Sequence, residues 1–100
     1  MIYLNGAILP ADQARIDPAD RGFGLGDGIF ETLRAYDGRP FRLADHLERM
    51  SVAAAALDIP LPVDMPAVAE AVTALLAANG RERGDASIRI DNDSAFDFLN

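Results

Sequence analysis

No lysine and no cysteine occur in this 100-residue chain, and it holds a single histidine. All nine of its Lys+Arg residues are arginine. Without a lysine amine no side chain here can form a Schiff base, and a P-loop, which ends in Gly-Lys, is ruled out. Without cysteine there is neither a disulfide framework nor a thiolate metal site, which fits a reducing compartment. Long apolar runs are missing too, since charged or polar residues interrupt each one well before the roughly 20 positions that a membrane-crossing helix requires. Met1–Leu9 lacks the basic flank and extended apolar core of a signal peptide. Basic charge is scarce: nine residues stand against 16 acids, for a net charge of -7 and no basic cluster. Phosphate backbones repel such a surface, so nucleic acid is not an expected partner. Together these absences predict a soluble cytoplasmic protein with no membrane partner.

What is present suits one small core, since half of the residues are hydrophobic and 100 residues are too few for two cores. Ile2–Leu4 and Ala7–Leu9 flank Asn5-Gly6, a dipeptide made for a two-residue hairpin turn. From Pro10 to Gly28, Asp17-Pro18 and glycines at 22, 24, 26 and 28 deny a regular helix and predict a structured loop. Ile29–Tyr36, the turn Asp37-Gly38 and Pro40-Phe41-Arg42 predict a second hairpin, with Pro40 at an edge. The period then becomes helical. Leu43, Leu47, Met50, Ala54 and Leu57 form one stripe of a helix ending near Asp58, where Pro60 and Pro62 forbid continuation. A second helix starts from Asp64 as N-cap with Pro66 in its first turn, buries Val68, Val72, Leu75 and Leu76, and stops at Asn79-Gly80. Ala86–Ile90 reads as a last strand. The fold expected is therefore α+β: a small two-layer domain in which two hairpins and a C-terminal strand, all antiparallel, cover two helices.

Two features invite functional readings. The glycines of Arg21–Gly28 fall at every second position and lead into a strand, whereas a dinucleotide fingerprint follows a strand and opens a helix. The reading that remains on residue type is conformational: tight bends and close backbone approach. His46 has no second nitrogen or sulfur ligand, and Asp45 and Glu48 share its helical face poorly, so a hydrogen-bonded structural histidine is expected and no metal site. The serines stand in no nucleophile-elbow context.

The run from Asp20 to Tyr36 contains D-R-G-F and then G-D-G-I-F-E into a strand; it is followed by the Asp37-Gly38 turn and by His46-Leu-Glu-Arg49 on the next helix. This ordered set resembles the N-terminal domain of class IV aminotransferases. That family of fold-type IV pyridoxal-phosphate enzymes includes the branched-chain and D-amino-acid aminotransferases and aminodeoxychorismate lyase. The likeness extends over residues 1–90. It implies that Arg49 contacts the cofactor phosphate, for which a permanently charged planar guanidinium is suited. It also implies that Phe30 lines the substrate pocket and that Arg89 meets a substrate carboxylate, although a strand arginine is equally often a solvated surface charge. The cofactor implied is pyridoxal 5'-phosphate. The partners implied are an amino acid and a 2-oxo acid, within a homodimer of the whole enzyme.

In the family the Schiff-base lysine lies in a larger second domain, so no residue of this chain is expected to be catalytic, and the chain alone should be inactive. Residues 91–100 depart from the family pattern, and they are expected to form an atypical, disordered tail. Two alternatives stay open: a fragment of a lyase of the same family, and a non-catalytic dimerising module for which Phe96, Phe98 and Leu99 are candidate contact residues.

Overall fold

The computed structural model describes residues 1–19, 26, 28–61 and 64–93. Asp20–Phe23, the D-R-G-F part of the loop, lies outside the described residues, as do Pro62 and the apolar side chains at 96, 98 and 99.

The chain opens with β1 (Ile2–Leu4) and β2 (Ala7–Leu9), antiparallel with Leu4 opposite Ala7. Asn5 and Gly6 turn at φ 50° and 92°, the positive pair that a two-residue turn demands if the strands are to keep their twist. A 3-10 turn at Ala11–Gln13 follows. The larger sheet contains β3 (Gly28–Tyr36), β4 (Arg39–Pro40) and β5 (Asp85–Asp93) in the order β4-β3-β5, all antiparallel. Pro40 sits on its edge strand, where no ladder bond is lost.

Between β4 and β5 come α1 (Leu43–Ala56) and α2 (Met65–Ala78). Asp64 caps α2 by accepting from the Ala67 amide at 2.9 Å. Both helices end in one way: Ile59 N–H bonds to Ala54 O across Asp58, and Arg81 N–H bonds to Leu76 O across Gly80. The crossed residues have φ of 56° and 65°, the left-handed step that satisfies the last carbonyls.

Packing follows from strand alternation. Leu33 and Ala35 of β3 and Ile88 of β5 point inward and meet Val72 and Leu76 of α2, with Leu43, Val68, Ala86 and Ile90 around them. Leu47, Met50 and Ala54 are the buried stripe of α1. The expected α+β arrangement of two hairpins, a last strand and two helices is what the chain adopts.

Three local expectations change. The second arm of the later hairpin is only Arg39–Pro40, because Arg42 takes a left-handed conformation (φ 55°), braced by Asp45 at 2.8 Å, and turns the chain into α1. Leu57 is 60% exposed instead of closing the α1 stripe, since the helix has ended and Ile59 swings into the buried position. The final strand, expected over Ala86–Ile90, continues through Asp93, so the first residues of the expected tail are paired with Gly28–Phe30. Residues 94–100 lie outside the described residues.

The Asp37-Gly38 turn is docked on the loop before β5. Asp37 N–H donates to Gly84 O at 2.9 Å, Gly84 N–H donates to Asp37 Oδ1 at 2.7 Å, and a Cβ added to Gly38 (φ 78°) would lie 3.1 Å from Glu82 O. At Gly6 an added Cβ meets nothing within 4 Å. Gly6→Ala is expected to cost about 1–2 kcal/mol for the left-handed backbone alone. Gly38→Ala should cost about 1–3 kcal/mol more, because the Glu82 backbone must move. Urea denaturation of the two variants compares them directly, and equal losses would show that the close approach at Gly38 carries no weight.

Candidate functional site

Strand β3 is the spine of the candidate site, because its period of two sends neighbouring residues to opposite faces. Phe30, Thr32, Arg34 and Tyr36 line the exposed face, and Glu31, Leu33 and Ala35 the covered one. The register places Arg89 opposite Thr32 and Asp91 opposite Phe30, so Arg89 reaches Phe30 along the diagonal. Its guanidinium carbon stands 4.2 Å from the centroid of the Phe30 ring, a cation–π contact. Arg89 Nε also donates to both carboxylate oxygens of Asp91 at 3.1 Å. Phe30 remains 57% exposed, so this face offers an apolar ring beside a positive charge.

Glu31 stands at the open end of the covered face. Helix α1 carries His46 and Arg49 three residues apart, hence on one side of the helix. His46 Nδ1 donates to Glu31 Oε1 at 2.8 Å; a carboxylate only accepts, which assigns the proton to Nδ1. Arg49 Nε approaches the same oxygen at 3.7 Å, an ion-pair distance rather than a hydrogen bond. Side-chain exposure runs from 12% for Glu31 through 24% for His46 to 75% for Arg49. Exposure thus rises from a nearly buried acid to a guanidinium open to solvent.

Of the residues singled out from the sequence, Phe30 and Arg89 touch, whereas Arg49 belongs to a second group on the other side of the β3 backbone. His46 is hydrogen-bonded as expected, and its partner is Glu31 of β3, neither Asp45 nor Glu48 on its own helix. Sequence reasoning missed Glu31 and Asp91. For Glu31 a signal existed: an acid in register with Leu33 and Ala35 on the covered side of an alternating strand must find a partner or stay desolvated and unpaired. Asp91 falls in the expected tail, and only the extension of β5 places it beside Arg89.

The described residues thus form a small α+β domain that sets Arg49 of α1 against Glu31 and Arg89 of β5 over the Phe30 ring. The description "Amino-transferase class IV" matches residues 28–96. The chain belongs to that family. It is 38% identical to an aminodeoxychorismate lyase of Bacillus subtilis over 91% of this chain and 31% of that one. It is 32% identical to a D-alanine aminotransferase of Staphylococcus haemolyticus over 83% of this chain and 29% of that one. Among solved structures, a branched-chain aminotransferase from Thermoproteus uzoniensis, crystallised with norvaline, is similar at a TM-score of 0.78 and 30% identity, covering 89% of this chain and 31% of the other. The chain therefore spans about a third of the length of the curated relatives it matches. The match to residue 96 crosses position 90, where the pattern of the sequence was expected to stop.

If the Phe30–Arg89 contact is energetic, a double-mutant cycle with Phe30→Ala and Arg89→Ala should return a coupling of about 0.5–1 kcal/mol, the range for an exposed cation–π pair. Additivity of the two losses in thermal or urea denaturation would mean that the ring and the guanidinium are merely adjacent.

Proposed function

We propose that this chain supplies the phosphate-clamp side of a class IV active site, in a protein that moves an amino group between an amino acid and a 2-oxo acid. Family membership supports a pyridoxal-phosphate enzyme. The observation that carries the assignment is Arg49: a guanidinium 75% exposed, backed by the nearly buried carboxylate of Glu31.

The residues present fit one end of pyridoxal phosphate. A guanidinium stays charged, offers a planar fork of donors and matches phosphate oxygens, so Arg49 suits the phosphate. The aldehyde end needs an amine, and with no lysine in the chain that group has to come from other residues of the whole enzyme. When bound, the cofactor supplies the electron sink for chemistry at a substrate α-carbon. What this chain adds is binding and orientation. Arg49 neutralises and fixes the phosphate, and Phe30 gives an apolar wall. Arg89 presents charge to a substrate carboxylate that displaces Asp91 from its Nε edge. A cytoplasmic homodimer, with an amino acid and a 2-oxo acid as its small-molecule partners, completes the proposal.

The lyase reading is the rival, favoured by the 38% identity to the Bacillus subtilis protein. It calls on the same clamp, so Arg49 supports either reaction and Phe30 with Arg89 would select the substrate.

Two measurements test the proposal. The chain incubated with pyridoxal phosphate and sodium borohydride should yield no pyridoxyl adduct at any side chain; one such adduct would overturn it. Grafted in place of the matching segment of the Bacillus subtilis lyase, the chain should support cofactor binding. Arg49→Ala in that graft should raise the dissociation constant about 10- to 100-fold, the value of one hydrogen-bonded charge contact. Equal affinity of the graft with and without R49A would remove Arg49 from the phosphate site.

A further inference from the structure

We infer that Glu31 is a positioning residue for Arg49, holding the guanidinium from its Nε side so that the terminal nitrogens are kept toward the ligand. This rests on the reading of Arg49 as the phosphate clamp and goes beyond it by naming what aims the clamp.

The first ground is the place of Glu31 in the sheet. It shares the covered face of β3 with Leu33 and Ala35 and is opposite Ile90, and only 12% of its side chain is exposed. An apolar residue would suit that position, because a carboxylate taken from water must be compensated by partners. The compensation converges on one atom. His46 Nδ1 at 2.8 Å and Arg49 Nε at 3.7 Å both face Glu31 Oε1. The His46 bond fixes the carboxylate, and the fixed carboxylate offers a single direction from which Arg49 can be held.

The second ground is magnitude. Arg49 is 75% exposed, and an ion pair with one partner so solvated contributes little to stability. The pair therefore does not earn its place through folding. Its effect is on rotamers: an arginine has many, and a ligand that meets one already aimed avoids the ordering cost. Strand β3 is rigid through its pairing with β5, so the aim is set by the sheet and not by the helix alone.

Glu31 could instead act only as a charge. In that case it would weaken an anion site, and replacing it by glutamine would leave Arg49 just as ordered. The two roles separate in an NMR measurement on the full chain without cofactor: the heteronuclear NOE of each arginine Nε–Hε group. Arg49 in the wild type should give a higher value than the exposed Arg39 and Arg81. Glu31→Gln, which keeps the size of the side chain and an acceptor for His46, should lower Arg49 toward their level while the backbone amide spectrum stays dispersed. Glu31→Ala should lower it fully, and His46→Ala in part, since the brace on the carboxylate is lost. An Arg49 as mobile as Arg39 in the wild type, or one whose order E31Q and E31A leave unchanged, would overturn the inference. No cofactor enters this measurement, so its failure is separate from that of the phosphate reading, which the R49A graft decides.

Discussion

The pairing of β3 with β5 is the constraint on which the rest of the structure depends. From Gly28 opposite Asp93 to Tyr36 opposite Asp85 the register is unbroken over two nine-residue strands. Side chains alternate with a period of two, so a slip of one residue on either strand would send its whole set to the other face. Ile88 would leave the core for water and Arg89 would enter it. The same register that buries Leu33 against Ile88 places Arg89 diagonal to Phe30. The core and the Phe30–Arg89 contact are thus two faces of one ladder.

The remaining elements hold that ladder in position. The Asp37-Gly38 turn reaches across to the loop before β5 through two hydrogen bonds with Gly84, tying the sheet together where β3 ends and β5 begins. Left-handed residues close both helices at defined points, Asp58 in one case and Gly80 in the other. A defined helix end fixes where the next segment enters the core, as Ile59 shows. The angle and depth of α1 in turn decide whether His46 and Arg49 meet Glu31. A three-residue spacing on the helix and one acid on the strand are sufficient, because both helix residues address a single oxygen.

The two arginines divide along the same lines. On one side of β3 the guanidinium of Arg49 faces Glu31, and on the other that of Arg89 lies over the Phe30 ring. Each arginine is met by an acid, Arg49 by Glu31 at 3.7 Å and Arg89 by Asp91 at 3.1 Å, and each keeps more than half of its side chain exposed. On the proposed function these residues serve recognition, and none of them is the amine that the family's chemistry requires.

By itself the amino-acid sequence determined the local elements and the family. Asn5-Gly6 and Asp37-Gly38 specify their turns because few other dipeptides tolerate two positive φ angles, and the apolar stripes of both helices follow from a period of 3.6. Asp64 and Asn79-Gly80 announce the ends of α2 through capping chemistry that operates within a few residues. The ordered motifs from Asp20 to Arg49 carry the class IV likeness without any structure. Only the tertiary structure decided that Glu31 meets His46 and Arg49, that Arg89 lies over Phe30 and that β5 runs on to Asp93. The physical reason is range. Turns, caps and stripes are set by neighbours along the chain, whereas these contacts join residues 15 to 59 positions apart, or extend a strand past its apolar run, and exist only once the strand register and helix docking are fixed.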